Sequence, residues 1–286
     1  HVSVKQILFD LGFHKPKAVG VKVDSDGEEF TIRGKEIILC AGAIGSPQIL
    51  MLSGVGPKSH LEEHDIDCIV DSPGVGQNLR DHPLIQLKWA TKPEVELEPL
   101  GPSAQVLLRY TSENSTLEND MIVYMCAVTS RRKDQGGHRL DPVGIGMSLG
   151  VNLAFSKGEL RLNNRRYNEQ PRLDFNLLSE KEDLRRMREG IRMLVDLESH
   201  PAMASLIDER VQPTDEELES DDSLDAWMRK YVETGHHVSC TAKMGPDSDP
   251  MAVVDQYGSV HGVAGLRVAD ASIMPDCVRA NINATV

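Results

Sequence analysis

The chain has 286 residues, of which 40% are hydrophobic and 26% are charged, and its formal net charge is −13 at pH 7. This length allows one large domain or two, each with a proper hydrophobic core. The acidic balance argues against nucleic acid or an anionic membrane as a partner. No apolar run reaches the length of a membrane span, and the five cysteines lack the spacing of a disulfide framework or a zinc site. Because the sequence begins with His1 rather than Met, it does not indicate a cellular location.

The first 33 residues alternate between apolar and polar side chains. The segments VSVKQILFD, KAVGVKVD and EFTIRG are separated by Gly, Pro and Asp breaks. A period of two residues with such breaks predicts a small antiparallel meander.

The stretch CAGAIGSPQILMLSGVGP predicts a strand that turns directly into a helix. Residues 37 to 40 form a short apolar run typical of a buried parallel strand. Gly42 and Gly45 suit a tight turn, Ser46 is the expected N-cap, and Pro47 is expected at the first helical position. A helix that begins at the end of a parallel strand is where such sheets bind anions and cofactors. The alternative is a tight turn that binds nothing.

The middle of the chain predicts an antiparallel sheet covered by helices. The segments LIQLKWAT, DMIVYMCAVTS, GIGMSLGVNLAF and GELRLNN are typical of strands. A capping box at Ser179 and Glu182 predicts the start of one amphipathic helix, and a second helix is expected around Leu224, Trp227 and Met228. Their apolar residues are expected to pack against the sheet.

Four segments, taken together and in order, resemble one known family. They are GAIGSPQILMLSGVGP, SPGVGQNLRDHP, TGHHVSCTAKMG and GLRVADASIMP, the last followed by Asn281. This pattern resembles the glucose-methanol-choline (GMC) family of FAD-dependent oxidoreductases, and the resemblance runs across the whole chain.

The resemblance implies an α/β (α+β) fold with FAD as cofactor. We expect residues 1–85 to be part of an FAD-binding Rossmann-like domain, residues 86–235 to form a substrate-binding domain with an antiparallel sheet covered by helices, and residues 236–286 to return to the FAD-binding domain. The family binds the pyrophosphate with a Gly-x-Gly-x-x-Gly turn, which this sequence lacks; Gly144 to Gly150 has the wrong spacing. We therefore expect an N-terminal FAD-binding segment and a final helix that are absent from this chain.

Alcohol oxidation sets the chemical requirements of the site. Hydride leaves an alcohol carbon readily only as the oxygen becomes an alkoxide, so the site needs a base for the hydroxyl proton and a donor for the developing negative charge. The resemblance implies His237 as this base and Asn281 as its partner. The alternatives are a packed or solvated histidine and an asparagine that only caps a turn.

The resemblance also implies a set of cofactor-binding residues, some of which act through their backbone. They are Val4 near the adenine, Ala41 and Gly42 in the strand-to-helix turn, Asp270 and Ala271 on the ribityl-phosphate side, and Asn283 near the flavin ring.

Four further residues in or near these motifs are not expected to transfer a proton or bind the cofactor. His236 is expected to shape the cavity, His82 to be a structural hydrogen-bonding residue, and Arg279 to face solvent or pair with an acid rather than select a carboxylate substrate. Cys240 stands where the family usually has glycine, so a side chain there is expected to crowd the turn beside His237.

Three functional hypotheses follow. The first is an alcohol oxidase or dehydrogenase, with a small-molecule alcohol as substrate, oxygen or a quinone as electron acceptor, and no nucleic acid or membrane span. The second is an FAD-containing lyase on the same scaffold. The third is a fragment with no activity of its own, since it lacks the pyrophosphate turn.

Overall fold

The computed structural model describes residues 2–95, 104–128 and 144–286. The chain divides into two compact units: the first contains His1–Asp81, Lys157–Asn176 and His236–Val286, and the second contains His82–Ser156 and Leu177–Gly235. The first boundary lies close to the expected one at residue 85. Residues 157–176, expected in the substrate-binding domain, group with the first unit.

Fifteen strands and six α-helices are present among the described residues. The strands are β1 (Ser3–Asp10), β2 (Lys17–Ser25), β3 (Glu28–Arg33), β4 (Ile37–Leu39), β5 (Val55–Gly56), β6 (Val70–Asp71), β7 (Pro83–Thr91), β8 (Ala104–Tyr110), β9 (Met121–Val128), β10 (Gly144–Val151), β11 (Glu159–Arg161), β12 (Arg172–Asp174), β13 (Ile207–Gln212), β14 (Glu233–Thr234) and β15 (Leu266–Val268). The helices are α1 (Gly42–Leu52), α2 (Lys58–Glu63), α3 (Lys181–Asp196), α4 (Pro201–Ala204), α5 (Asp215–Leu218) and α6 (Asp221–Tyr231).

In the first unit, the predicted meander is confirmed as a three-stranded antiparallel sheet in the order β1-β2-β3. The predicted strand before the glycine turn is also confirmed, and β4 pairs in parallel with β15. Strand β11, expected in the substrate-domain sheet, pairs with β12 in a separate two-stranded sheet of the first unit. One apolar cluster, which includes Leu39, Leu50 and Val268, fills the interior of this unit.

In the second unit, β13, β7, β10, β9 and β8 lie side by side in that order, and β14 also pairs with β7. The pairs β7–β10 and β9–β10 are antiparallel, as predicted. Strand β8, which was not predicted, pairs antiparallel with β9. The last two residues of the predicted segment DMIVYMCAVTS, 129 and 130, lie outside the described residues. The mixed α/β class with a helix-covered antiparallel sheet is therefore confirmed.

The two amphipathic helices of the second unit pack as their spacing predicted. Helix α3 buries Leu184, Met187, Ile191 and Leu194, and α6 buries Leu224, Trp227 and Met228. These side chains share one apolar cluster with inward-facing residues of β7, β9 and β10. Burial of this periodic face, rather than helix propensity alone, stabilises helices of such length.

The predicted capping box of α3 is wrong. Helix α3 begins at Lys181 with Glu180 as N-cap, and no side chain caps it. Instead, the buried Asp183 accepts hydrogen bonds from the backbone N–H groups of Phe155 and Ser156, at 3.0 and 2.7 Å. Asp183, inside the first turn of α3, therefore holds this end of the helix to the distant segment that contains Phe155 and Ser156.

Among the described residues, no helix has both the length and the apolar character that crossing a membrane requires.

Candidate active site

The candidate site lies at the carboxyl ends of the parallel strands β4 and β15, where α1 begins. Gly42, the first residue of α1, has a φ of +77°, a conformation that glycine adopts without steric cost. Its N–H donates to Asp270 Oδ2 at 3.1 Å, and the Ser46 hydroxyl donates to the same oxygen at 2.5 Å. Asp270 Oδ1 accepts from Ser272 N–H at 2.9 Å. This carboxylate therefore joins the segments that follow the two parallel strands.

The expected role of Ser46 as N-cap is wrong. Helix α1 already begins at Gly42, so Ser46 and Pro47 lie within it. The fully buried Ser46 Oγ accepts from Ala41 N–H at 3.1 Å while its own proton goes to Asp270. The Ser46 hydroxyl thus accepts from the N–H of Ala41, just before the helix, from a position inside the helix. A usual N-cap residue does the reverse: it precedes the helix and accepts from an N–H inside it.

His237 and Asn281, the predicted catalytic pair, lie side by side. The side-chain Nδ2 of Asn281 is 3.0 Å from Nε2 of His237. With the amide group as donor, Nε2 accepts, so the neutral imidazole carries its proton on Nδ1. His237 is half-buried and Asn281 is exposed.

The loop that carries His237 is held in a strained conformation. His236 and Cys240, on either side of it, have φ values of +60° and +71°, in the left-handed region that non-glycine residues seldom adopt. Cys240, which stands where the family usually has glycine, therefore keeps a backbone conformation that glycine would favour. Its thiol is fully buried.

The surroundings of the Cys240 thiol disfavour its thiolate form. A hydrogen bond with Cys277, together with burial, raises its pKa above the ordinary value. Ser239 Oγ lies 3.2 Å from the sulfur of Cys240 and 3.4 Å from that of Cys277. Because the thiolate is the reactive form, a raised pKa together with burial argues against a nucleophilic role for Cys240.

Of the other predicted cofactor residues, two lie beside Gly42 and Asp270 and two lie elsewhere. Ala41 is exposed at the N-terminus of α1, and Ala271 is buried, with its carbonyl accepting from Cys240 N–H at 3.0 Å. Val4 is half-buried on β1, and Asn283 lies in an exposed 3₁₀ turn, Ile282–Ala284. The geometry brings Ala41, Gly42, Asp270 and Ala271 together; Val4 and Asn283 lie on elements outside this cluster.

Two residues of the site, Asp81 and Thr241, were missed from the sequence, and Ser46 was given a different role. Asp81 is 3% exposed and accepts from the backbone N–H of His237 at 3.0 Å. The buried Thr241 donates from Oγ1 to the carbonyl of Ala43 at 2.6 Å. Asp81 could have been noticed because it is a charged residue within SPGVGQNLRDHP, one of the segments that resemble the family. Nothing in the sequence near Thr241 indicates its hydrogen-bond partner.

A cluster of His60, Glu63 and His64 has the composition of a metal site but not its chemistry. His60 Nε2 accepts from Leu162 N–H at 2.9 Å, so the neutral ring carries its proton on Nδ1 and has no second lone pair for an ion. The guanidinium of Arg161 also lies 2.8 Å from Glu63. We assign this cluster to the stability of the first unit.

A helix N-terminus at the ends of parallel strands is typical of α/β proteins that bind a nucleotide cofactor. Comparisons with known proteins identify one family within this class. Models of the GMC oxidoreductase family match residues 1–84 and residues 154–286. The chain belongs to the GMC oxidoreductase family, as the resemblance predicted.

Curated relatives are identical to this chain at about a third of the aligned residues. The oxygen-dependent choline dehydrogenase of Ectopseudomonas mendocina is 35% identical over 311 residues, covering 100% of this chain and 53% of that protein. A protein of the same description from Stenotrophomonas maltophilia is 34% identical, covering 99% of this chain and 54% of its own length. The chain thus spans about half the length of the curated relatives it matches.

Solved structures share the fold. Pyridoxine 4-oxidase from Mesorbium loti superimposes with a TM-score of 0.83 at 23% identity, over 99% of this chain and 54% of that one. Formate oxidase from Aspergillus oryzae, from a study of FAD modification, superimposes with a TM-score of 0.81 at 25% identity, over 98% and 57%.

FAD is the cofactor of this family, and the described residues fit its phosphate-bearing part. A Cβ added to Gly42 would meet no atom within 4 Å, so the space beside the turn is open. The buried Ser272 Oγ, close in sequence to Asp270, has no hydrogen-bond partner among the described residues. Open space and an available hydroxyl suit the polar, phosphate-bearing part of a cofactor.

Proposed function

We propose that the protein to which this chain belongs oxidises an alcohol to an aldehyde or ketone, with FAD as the hydride acceptor. The observation that supports this most directly is the 3.0 Å contact between His237 Nε2 and Asn281 Nδ2. A side chain that can accept a proton lies beside one that can donate a hydrogen bond, and this supports the proposal because alkoxide formation requires both groups.

In this proposal each member of the pair acts on the alcohol oxygen. His237 Nε2 takes the hydroxyl proton, and its protonated Nδ1 keeps the lone pair on the correct nitrogen. Asn281 Nδ2 donates to the oxygen as negative charge develops there, so the bond that joins the two side chains in this structure is exchanged for bonds to substrate. Bound FAD supplies the acceptor for the hydride that leaves the carbon.

Four residues would hold the cofactor in this proposal. Ala41 and Gly42 would face it through the N-terminus of α1, and Asp270 would fix the shape of that turn through its bonds to Gly42 and Ser46. Ala271 would contribute through its backbone. The contributions of Val4 near the adenine and Asn283 near the flavin ring are further parts of the proposal. In domain terms, the first unit would bind FAD and the second would contact substrate.

The relatives suggest the first compounds to test. Because proteins 34–35% identical are described as oxygen-dependent choline dehydrogenases, choline is the first alcohol to test and oxygen the first acceptor, with a quinone as the alternative. Simple primary and aromatic alcohols complete the panel. The test is anaerobic mixing of the FAD-loaded protein with each alcohol while the blue flavin band is recorded.

Bleaching by one alcohol, with formation of the matching carbonyl compound, is the expected result. Conversion of substrate without net flavin reduction would favour the lyase hypothesis instead. Absence of any reaction in a protein that holds FAD would contradict the proposal. The isolated 286-residue chain is expected to hold FAD weakly, because its sequence lacks the Gly-x-Gly-x-x-Gly turn.

A further inference from the structure

The backbone around His237 requires restraint from elsewhere in the first unit. His236 and Cys240 both have left-handed φ values, at +60° and +71°. Neither is glycine, so each would relax toward a more extended or right-handed conformation if the loop were free. Relaxation at His236 would rotate the peptide that leads into His237 and move its ring.

Three hydrogen bonds to the segment Arg80–Asp81 oppose this relaxation. Arg80 N–H donates to Ser239 O at 3.0 Å, and Ser239 N–H donates to Arg80 O at 2.9 Å. The third bond joins His237 N–H to Asp81 Oδ1 at 3.0 Å. The first two use only backbone atoms and would form with most residues at these positions. The third depends on the side chain of Asp81.

The bond from His237 to Asp81 is of a strong type. Asp81 is 3% exposed, so its carboxylate is shielded from water, which strengthens a hydrogen bond to a carboxylate oxygen. It also reaches the amide of His237 itself, next to the strained His236. Among the three bonds, it controls the position of the ring most directly.

We infer that Asp81 is a positioning residue for His237, a role that rests on the proposed function of the ring as proton acceptor. Asp81 acts through the backbone of His237 and not on the alcohol. By fixing the peptide on the carboxyl side of His236, it holds Nε2 beside Nδ2 of Asn281, where the two can meet one substrate oxygen. Small displacements of such a group slow a reaction even when binding is unchanged.

The test compares Asp81→Ala with Asp81→Asn in the FAD-loaded protein, with Asp65→Asn as control. The asparagine amide oxygen can accept the same hydrogen bond, whereas alanine cannot. Asp65 is exposed and has a φ of +53°, which asparagine also tolerates, so its variant removes one surface charge and nothing else. The first measurement is hydrogen exchange at the amides of His237 and Ser239; the second is the rate of flavin reduction at saturating alcohol.

In the unsubstituted protein the His237 amide is expected to be protected, although it lies outside regular helices and strands. Asp81→Ala should accelerate its exchange by about 10-fold or more while changing that of Ser239 much less. The same variant should slow flavin reduction by about 10- to 100-fold with the alcohol dissociation constant within about threefold. Asp81→Asn should retain most of the protection of the His237 amide and most of the rate of flavin reduction. Asp65→Asn should leave both unchanged.

An unprotected His237 amide in the unsubstituted protein would overturn the inference without any variant. Equal acceleration at His237 and Ser239 in Asp81→Ala would also overturn it, because that result indicates general loosening. If no alcohol reduces the flavin, the proposed function fails, while the exchange measurements still decide whether Asp81 positions His237.

Discussion

Thr241 supplies a hydrogen bond that Pro47 removes from helix α1. In a regular helix the carbonyl of Ala43 would accept from the N–H of residue 47, but proline has none. Thr241 Oγ1 donates to this carbonyl at 2.6 Å, from a residue 198 positions along the chain. The loop that carries His237 is thereby joined to the helix at the candidate cofactor site.

This relationship predicts coupling between two substitutions. Thr241→Val leaves the buried Ala43 carbonyl without a donor and should lower the free energy of unfolding by about 1–3 kcal/mol. Pro47→Ala restores an N–H at position 47, so the same Thr241→Val change should have a smaller effect in that background. A double-mutant cycle by urea denaturation measures the difference. Equal effects of Thr241→Val in both backgrounds would contradict the assignment.

Arg186 is expected to be essential for the stability of the second unit. It lies fully buried between Asp120 and Asp183, at 3.0 and 2.6 Å, and both carboxylates are also fully buried. Arg186→Met would leave two buried acids without their cation and should lower the free energy of unfolding by about 3–5 kcal/mol. Arg188→Met, on the same helix but partly exposed, is the matched control and should change it by less than about 1 kcal/mol. Comparable losses in the two variants would rule out this account.

Acid should weaken the same network. Burial alone would raise the pKa of Asp120, but hydrogen bonds from Ser112, Ser115 and Arg186 outweigh it and hold the pKa below its usual value. Because the folded pKa is the lower one, the contribution of Asp120 is complete above the unfolded pKa of about 3.8 and is lost as pH falls through the folded value. The slope of stability against pH in this acid range should therefore be reduced in Asp120→Asn.

His60 predicts a second pH effect, at milder acidity. Burial lowers its pKa below the ordinary 6.5, and the charges of Arg161 and His64 lower it further, although Glu63 opposes them. Neutral His60 is the form that accepts from Leu162 N–H. Its stabilising contribution is therefore complete above pH of about 6.5 and is lost as pH falls through the lower, folded pKa.

The measurement is urea denaturation between pH 7 and 5, with His60→Gln as the test variant. Glutamine can accept the same hydrogen bond without titrating, so the loss of stability toward pH 5 should be smaller in this variant. His14→Gln, at an exposed position, is the control. An unchanged pH slope in His60→Gln would exclude His60 as the source.

Cys240 allows the backbone strain beside His237 to be measured. Since its φ is +71°, glycine should tolerate the position better than any residue with a Cβ. Cys240→Gly should therefore be more stable than Cys240→Ala by about 1 kcal/mol, although alanine usually stabilises relative to glycine. Thermal denaturation of the two variants tests this, and the opposite order would show that the loop relaxes without penalty.

The regular elements could be predicted because their signals are local. The alternation of β1 to β3 and the apolar stripes of α3 and α6 are present in the sequence, and each determines one buried face. The start of α1 could not be predicted by the same rules: Ser46 and Pro47 have the composition of an N-terminus, but Thr241 and Asp270 stabilise a helix that begins earlier. Propensity describes neighbours in sequence, whereas these contacts join residues about 200 positions apart.

Only part of the candidate site could be predicted, because its remaining contacts also join residues that are distant in sequence. The resemblance identified His237 and Asn281, and the fold brings them to 3.0 Å. Asp81 was missed because its contact is with a backbone N–H, which has no sequence signature. Strand β11 was expected in the antiparallel sheet of the substrate-binding domain but pairs with β12, because alternation predicts a strand without identifying its pairing partner.

The role of His237 as proton acceptor is tested most directly by the rate of flavin reduction in a single turnover, with His237→Gln compared with the unsubstituted FAD-loaded protein at a saturating alcohol concentration. We expect the variant to be slower by about 10²- to 10⁴-fold, with FAD content and the flavin spectrum unchanged, because only the proton acceptor is lost. A variant that reduces its flavin as fast as the unsubstituted protein would contradict the claim that His237 accepts the proton of the alcohol.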